Sequence, residues 1–264
     1  MNATGSRRSS SAIRHSESRT PHSTCEVRIG TSGWHYKHWR GPYYPANVGP
    51  ADMFAYYSQE FDSVEINNSF YRLPSAAAFE AWKTSAPAGF RFAVKASRYL
   101  THNKKLSDPK PALDLFLPLA ERLGDKLGPI LFQLPPRWHR NDERLARFLA
   151  VLPHRHRYSI EFRDHTWDHE DVYALLRRHN VAYCIYELAG FRSPIEITAD
   201  FAYVRLHGPG AKYQGDYSRS VLRGWAARIA GWRDRLAAVY VYFDNDQAAL
   251  AVKNARTLRS LVCS

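Results

Sequence analysis

From residue 27 onward, short apolar runs alternate with longer segments whose apolar residues recur at helical spacing. The runs are Val27 to Thr31, Ser63 to Asn68, Phe90 to Lys95, Pro129 to Leu134, Tyr158 to Arg163, Val181 to Tyr186, Phe201 to Leu206 and Val239 to Phe243. Turn residues follow each one, so the pattern is a βα repeat. Eight such strands predict a single α/β domain over residues 26–264, closed as a (β/α)8 TIM barrel. A doubly wound open sheet is the competing architecture. It is disfavoured because GTSGW (30–34) after the first strand lacks the G-x-G-x-x-G spacing of a dinucleotide loop.

Capping signals place two helices. Asn141-Asp142-Glu143 precedes the stripe Leu145, Phe148 and Leu149, and the acidic stretch 168–171 precedes Val172, Leu175 and Leu176. The link from Glu187 to Asp200 is short and interrupted by Gly190 and Pro194, so the sixth helix is expected to be short or missing.

Strands covered on both faces should read as continuous apolar runs. Here they are broken near their C-terminal ends: Glu65 and Asn67 in the second, Lys95 in the third, Gln133 in the fourth, Glu161 and Arg163 in the fifth, Arg205 and His207 in the seventh, and Asp244 to Asp246 after the eighth. Active sites of this fold are assembled at that pole. Period-two alternation puts Glu65 with Asn67, Glu161 with Arg163, and Arg205 with His207 on one face each. A charge buried alone costs several kcal/mol, so the mixture implies mutual pairing, a ligand, or both.

His207, followed by Gly208-Pro209-Gly210, is the leading candidate for proton transfer, with Glu65 and Glu161 as candidate acid and base. Because the two glutamates come from the second and fifth strands, the close carboxyl pair of a retaining glycosidase is disfavoured. No cofactor motif is present. A metal site is not expected either, since Lys95, Arg163 and Arg205 interleave with the carboxylates and neither H-x-x-x-H nor H-E-x-x-H spacing occurs.

Aromatics crowd the same loops, as a sugar- or base-stacking site requires. Trp39, Phe70 and Trp167 read as packing residues, whereas Tyr36, Tyr71 and Tyr217, with polar tips, read as ligand contacts. GAKYQGDYS (210–218) reads as a mobile lid, its glycines and polar residues offering little to pack.

Composition refines this picture. The first 25 residues are Ser- and Arg-rich with no apolar h-region, which predicts a disordered basic tail and no secretion signal. No eighteen-residue apolar run exists, and Cys25, Cys184 and Cys263 are odd in number and far apart, so a reducing cytoplasmic setting without membrane association is expected. The net charge is +12; the tail's Arg7, Arg8, Arg14 and Arg19 against Glu17 leave +9 on the rest, favouring an anionic partner or simply a basic surface. Asn2-Ala3-Thr4 and Asn67-Asn68-Ser69 match the glycosylation pattern by letter alone.

Seven motifs in order, GTSGWHYKHWRGPYYP (30–45), FDSVEINNSFYRLP (61–74), GFRFAVKASRYLTH (89–102), GPILFQLPP (128–136), IEFRDHTW (160–167), YVRLHGP (203–209) and VYFDNDQ (241–247), make the chain resemble the YecE-like family, domain of unknown function 72. The resemblance runs from about Ile29 to Leu258. It implies a TIM barrel and brings no established activity. The motif positions it marks are Glu65, Asn67, Tyr71, Lys95, Thr101, His102, Gln133, Glu161, Arg163, Arg205, His207, Asn245 and Asp246. VAYCIYELAG (181–190) departs from the family's acidic segment, with Glu187 as the available substitute.

Three functions are compatible with these residues. One is an enzyme, a hydrolase, lyase or isomerase, acting on a small anionic or polyhydroxylated ligand such as a sugar phosphate or nucleotide, with Lys95, Arg163 and Arg205 as the clamp. The second is a nucleic-acid binding or processing protein. The third is a non-catalytic ligand-binding protein.

Overall fold

The computed structural model describes residues 25–263 together with Met1, and the expectations for the basic tail and for Asn2-Ala3-Thr4 fall outside the described residues. In chain order the elements are β1 (Glu26–Ser32), α1 (Met53–Tyr57), β2 (Ser63–Ile66), α2 (Asn68–Tyr71), α3 (Ala76–Ser85), β3 (Arg91–Lys95), α4 (Lys110–Ala120), β4 (Leu127–Gln133), α5 (Asp142–Ala150), β5 (Tyr158–Glu161), α6 (Glu170–Arg178), β6 (Val181–Leu188), β7 (Phe191–Arg192), β8 (Phe201–Leu206), α7 (Arg219–Arg233), β9 (Ala238–Phe243) and α8 (Leu250–Cys263).

Eight parallel strands close a ring: β1 to β5 pair in sequence, β5 pairs β6, β6 pairs β8, β8 pairs β9, and β9 returns to β1 through Glu26↔Ala238 to Thr31↔Phe243. The short β7 folds back antiparallel on β6, with Leu188 opposite Phe191. It occupies the link where the sixth helix was expected to be short or missing, and no helix is recorded between β6 and β8 among the described residues. Gly190, at φ +83°, makes the tight reversal.

Alternation along the strands sorts side chains into two cores. Outward residues such as Val204, Leu206, Val239, Val241 and Phe243 meet the helices. Inward residues Ala93, Leu131, Ala182, Cys184, Phe201, Tyr203, Tyr240 and Tyr242 fill the barrel, small side chains opposite large ones. At the N-terminal end, Arg157 Nη1 donates to Tyr240 Oη at 2.8 Å and pairs with Glu26 at 3.5 Å, which plugs the floor.

The helices start as the sequence indicates. Asn141 caps α5, its Oδ1 accepting from the Arg144 N–H at 2.9 Å, and Leu145, Phe148 and Leu149 are buried. His169 caps α6, with Glu170 and Asp171 in the first turn. No helix among the described residues is long and apolar enough to cross a membrane.

Candidate functional site

The inward period that places Tyr203 in the core continues to Arg205 and His207 at the end of β8. The same period carries Ser63 to Glu65 and Asn67 on β2, Ala93 to Lys95 on β3, Leu131 to Gln133 on β4, Ser159 to Glu161 and Arg163 on β5, and Tyr242 to Asp244 beyond β9. Register then levels them: Ser32 lies beside Glu65, and Gln133 beside Glu161. Charged residues separated by more than a hundred positions thus meet at the C-terminal pole.

Arg205 is the hub. Its Nη2 donates to Glu65 Oε1 at 2.7 Å, Asp244 Oδ2 at 3.0 Å and Ser32 Oγ at 3.1 Å; its Nε donates to Glu65 Oε2 at 3.0 Å; its Nη1 donates to Glu161 Oε2 at 2.8 Å. Glu65 also accepts from Tyr203 Oη at 2.6 Å and from Ser32 Oγ, and Ser32 Oγ accepts from Asn67 Nδ2. Arg163 Nε pairs with Glu161, and its guanidinium lies 4.7 Å from the Tyr186 ring centre.

This network changes the roles assigned from sequence. Glu65 and Glu161 come from distant strands, yet one guanidinium bridges them. Arg205 has its donors engaged by protein and is not free to clamp a ligand anion. His207 is buried rather than exposed at a loop: Nδ1 lies 2.9 Å from Asp244 Oδ2, and Nε2 lies 2.9 Å from Arg163 Nη2 and 3.2 Å from Arg205 Nη1. Since Arg only donates, Nε2 accepts and Nδ1 carries the hydrogen given to Asp244. Nε2 also lies 3.5 Å from Glu161 Oε1, so both ring nitrogens are engaged by protein and the geometry is that of a positioning residue.

Electrostatics follow the pairing. Burial alone would raise the Glu161 carboxyl, but Arg163 and Arg205 hold it well below the usual range. Burial acts likewise on Asp244, and Arg205 with His207 brings it down. Arg205, against its own burial, is pushed well above the ordinary value by Glu65 and Glu161.

Lys95 differs from every other cation in the barrel. The residue is 8% exposed, its Nζ lies 4.2 Å from the Phe70 ring centre, and among the described residues it has no ion pair or side-chain hydrogen bond. Burial, then Arg205, push the ammonium down to about 8. His102 also meets Phe70, ring to ring at 5.0 Å, and burial together with Lys95 and Arg98 lowers it to about 4. Thr101 Oγ1 donates to Ser97 O at 3.2 Å and lies 3.0 Å from His102 Nδ1. With the Thr101 proton given to Ser97 O, the arrangement in which Nδ1 donates to Thr101 Oγ1, Nε2 keeps its lone pair.

The remaining predicted residues divide. Gln133 is half-buried beside Glu161, and Asn67 is half-buried with its Oδ1 unpartnered. Asp246 is half-exposed, raised by burial and by Asp244, while its carbonyl accepts from Trp39 Nε1 at 2.7 Å. Tyr36 donates its hydroxyl to Ser32 O at 2.6 Å, so its tip is occupied. Its ring, with Gly33, Trp34, Asn67, Tyr71 and Trp82, lines a cleft of about 370 Å³ flanking the mouth, and Tyr71 is 79% exposed.

Tyr217 and Asn245 do not face the ligand side. Tyr217 is buried with its Oη accepting from the Gly208 N–H at 3.0 Å; Asn245 Nδ2 donates to Gly215 O and Asn254 Oδ1, each at 2.8 Å. These two fasten the 210–218 loop, which also gains Asn254 Nδ2 to Asp216 Oδ1 at 2.7 Å. The expectation that this loop has little to pack is corrected: α8 supplies its partners. Ser32, Tyr203 and Phe70 belong to the site though not singled out for it; the clue for the first two was their inward parity with Glu65 and Arg205. Trp39 and Trp167 are fully buried packing residues as expected. Among the described residues no group of three or more His, Cys, Asp or Glu is arranged to hold a metal ion, Arg205 standing where the carboxylates converge.

The family described as "Protein of unknown function DUF72" matches residues 28–264. The UPF0759 protein YunF of Bacillus subtilis is 23% identical over 270 residues, spanning 89% of this chain and 94% of its own. The crystal structure of a DUF72 family protein from Thermotoga maritima aligns with a TM-score of 0.83 at 28% identity, over 90% of this chain and all of that one. One from Enterococcus faecalis aligns with a TM-score of 0.74 at 15% identity, over 90% of this chain and 96% of that one, and shows the same fold.

Proposed function

Starting from the fact that the chain belongs to the DUF72 family, whose description names no activity, we propose that it is an enzyme acting on a small polyhydroxylated ligand, neutral or singly negative, seated at the C-terminal face of the barrel with a polar oxygen against Lys95. The single observation that carries this reading is the unpaired ammonium of Lys95.

Charge balance narrows the ligand. The base of the site, at the C-terminal pole, holds three cations, Lys95, Arg163 and Arg205, against three carboxylates, Glu65, Glu161 and Asp244. The arginines are ion-paired with the acids, which leaves Lys95 as the cation of the three without a carboxylate partner among the described residues. A dianionic group would sit uncompensated against Glu161 and Asp244, whereas a hydroxyl-rich or monoanionic molecule would not. Half-buried Asn67, Gln133 and His102 supply hydrogen-bonding groups for hydroxyls, and the Tyr36–Tyr71 cleft offers ring faces beside them. The Arg205 network braces the base of the site, as a catalytic constellation requires.

A thermal-shift screen with aldoses, ketoses, sugar acids, sugar phosphates and nucleotides tests the reading. Stabilisation by sugars or sugar acids exceeding that by nucleotides is the expected result. Stabilisation by none of them, or by nucleotides alone, overturns it.

A further inference from the structure

We propose that Lys95 is a covalent catalytic residue whose Nζ forms an imine with the carbonyl carbon of an aldehyde or ketone ligand, a step that rests on the ligand site argued above. Four observations converge on it.

The first is placement. Lys95 ends β3, in register with Leu131; its carbonyl accepts from Ser69 Oγ at 2.6 Å, and the next residue, Ala96, donates its N–H to Leu131 O at 2.8 Å. The stem is thus fixed on a rigid strand end at the catalytic pole of the fold.

The second is the absence of a counter-ion among the described residues. Arg28, Arg91, Arg157, Arg163 and Arg205, the other cations of the barrel, each pair with a carboxylate. A lysine serving the ionic scaffold would do the same. Lys95 rests instead on the face of Phe70, nearly buried, a setting that favours a neutral amine. With its ammonium near 8, about a tenth of the side chain is free amine at pH 7, roughly 10²-fold more than for an ordinary lysine.

The third is a base. His102 meets the same Phe70 ring and is neutral, with Nε2 carrying a lone pair. The fourth is the fate of the charge: Glu161 and Asp244 lie in the electrostatic surroundings of Lys95 and favour its positive form, so they favour a protonated imine at the same place.

The step balances. The Nζ lone pair forms the C–N bond, and the carbonyl π pair moves to oxygen, which takes up a proton from solvent. The nitrogen passes one of its two protons to His102 Nε2, which returns it to the hydroxyl; the nitrogen lone pair then forms the C=N bond as the C–O bond breaks and water leaves. Amine, carbonyl and one proton give the protonated imine and water, with no oxidant or reductant.

The experiment is reductive trapping. The full chain is incubated with dihydroxyacetone or D-ribose at pH 7, reduced with borohydride and mapped by peptide mass spectrometry, beside thermal-shift measurements on the same compounds. Exposed Lys110 and Lys253 serve as internal references. The expected result is a reduced adduct at Lys95 exceeding that at either reference lysine by roughly tenfold or more, lost in Lys95→Met and slowed in His102→Asn. Lys95→Met places an apolar stem on Phe70, so folding is retained. Stabilisation by the compounds without preferential Lys95 labelling overturns the imine and leaves the ligand site standing. Neither stabilisation nor labelling overturns both.

Discussion

Arg205 and Glu65 are joined by a two-pronged ion pair, Nη2 to Oε1 at 2.7 Å and Nε to Oε2 at 3.0 Å, with at most 1% of either side chain exposed. The same guanidinium reaches Glu161 and Asp244, so one residue contacts three acids. Replacing it with Met leaves buried carboxylates facing one another, and a loss of about 3–5 kcal/mol is expected by urea unfolding. Arg205→Lys recovers only part of this, because one ammonium cannot bridge acids on two sides. Unchanged stability in both variants would contradict the hub.

Lys95 gives stability a pH signature. In the folded protein it is pushed down to about 8, below the ordinary lysine value of 10.5. Between these two the unfolded chain holds a proton that the folded protein has released, so this group adds stability as pH rises through the window; below pH 8 the folded protein carries the full cost of a buried ammonium. Relative to Lys95→Met, wild type should therefore gain on the order of 3 kcal/mol from pH 8 to 10.5. Parallel stability curves for the two proteins would show that Lys95 is not desolvated.

The loop fastening can be tested at Gly208. Its φ is +111°, and an added Cβ would stand 2.2 Å from Gln214 O. Gly208→Ala should destabilise by about 1–3 kcal/mol and raise protease cleavage within 210–218. Gly224, within α7, meets nothing nearer than Arg228 Nη1 at 3.4 Å, and Gly224→Ala should leave cleavage unchanged and stabilise by up to about 1 kcal/mol. Equal behaviour of the two variants would contradict the anchored loop.

Tyr71 separates binding from folding. Exposed on the rim of the aromatic cleft, it should tolerate Tyr71→Ala within about 0.5 kcal/mol of stability, while the thermal shift given by a ring-shaped ligand shrinks. A full ligand-induced shift in this variant would remove the cleft from the site.

The barrel was legible because its strands are short apolar runs separated by segments of helical periodicity, some with their own caps, as at Asn141. The polar pole was legible too, since period two puts Glu65, Glu161 and Arg205 on inward faces. Depth was not. Parity says that His207 points inward, but only the packing of Tyr186 and Tyr213 beside it, and its contacts with Asp244 and Arg163, show that it is sealed. The misreading of Tyr217 and Asn245 has a similar cause. Their partner Asn254 lies on α8, and nothing in the composition of a Gly-rich loop announces a contact with a helix that follows it.

If the unpaired amine of Lys95 faces the ligand, calorimetric titration of the most stabilising sugar or sugar acid separates wild type from Lys95→Met. Affinity about tenfold or more weaker in the variant, the loss of one charge-assisted contact, is the predicted result; equal affinity in the two proteins would contradict it.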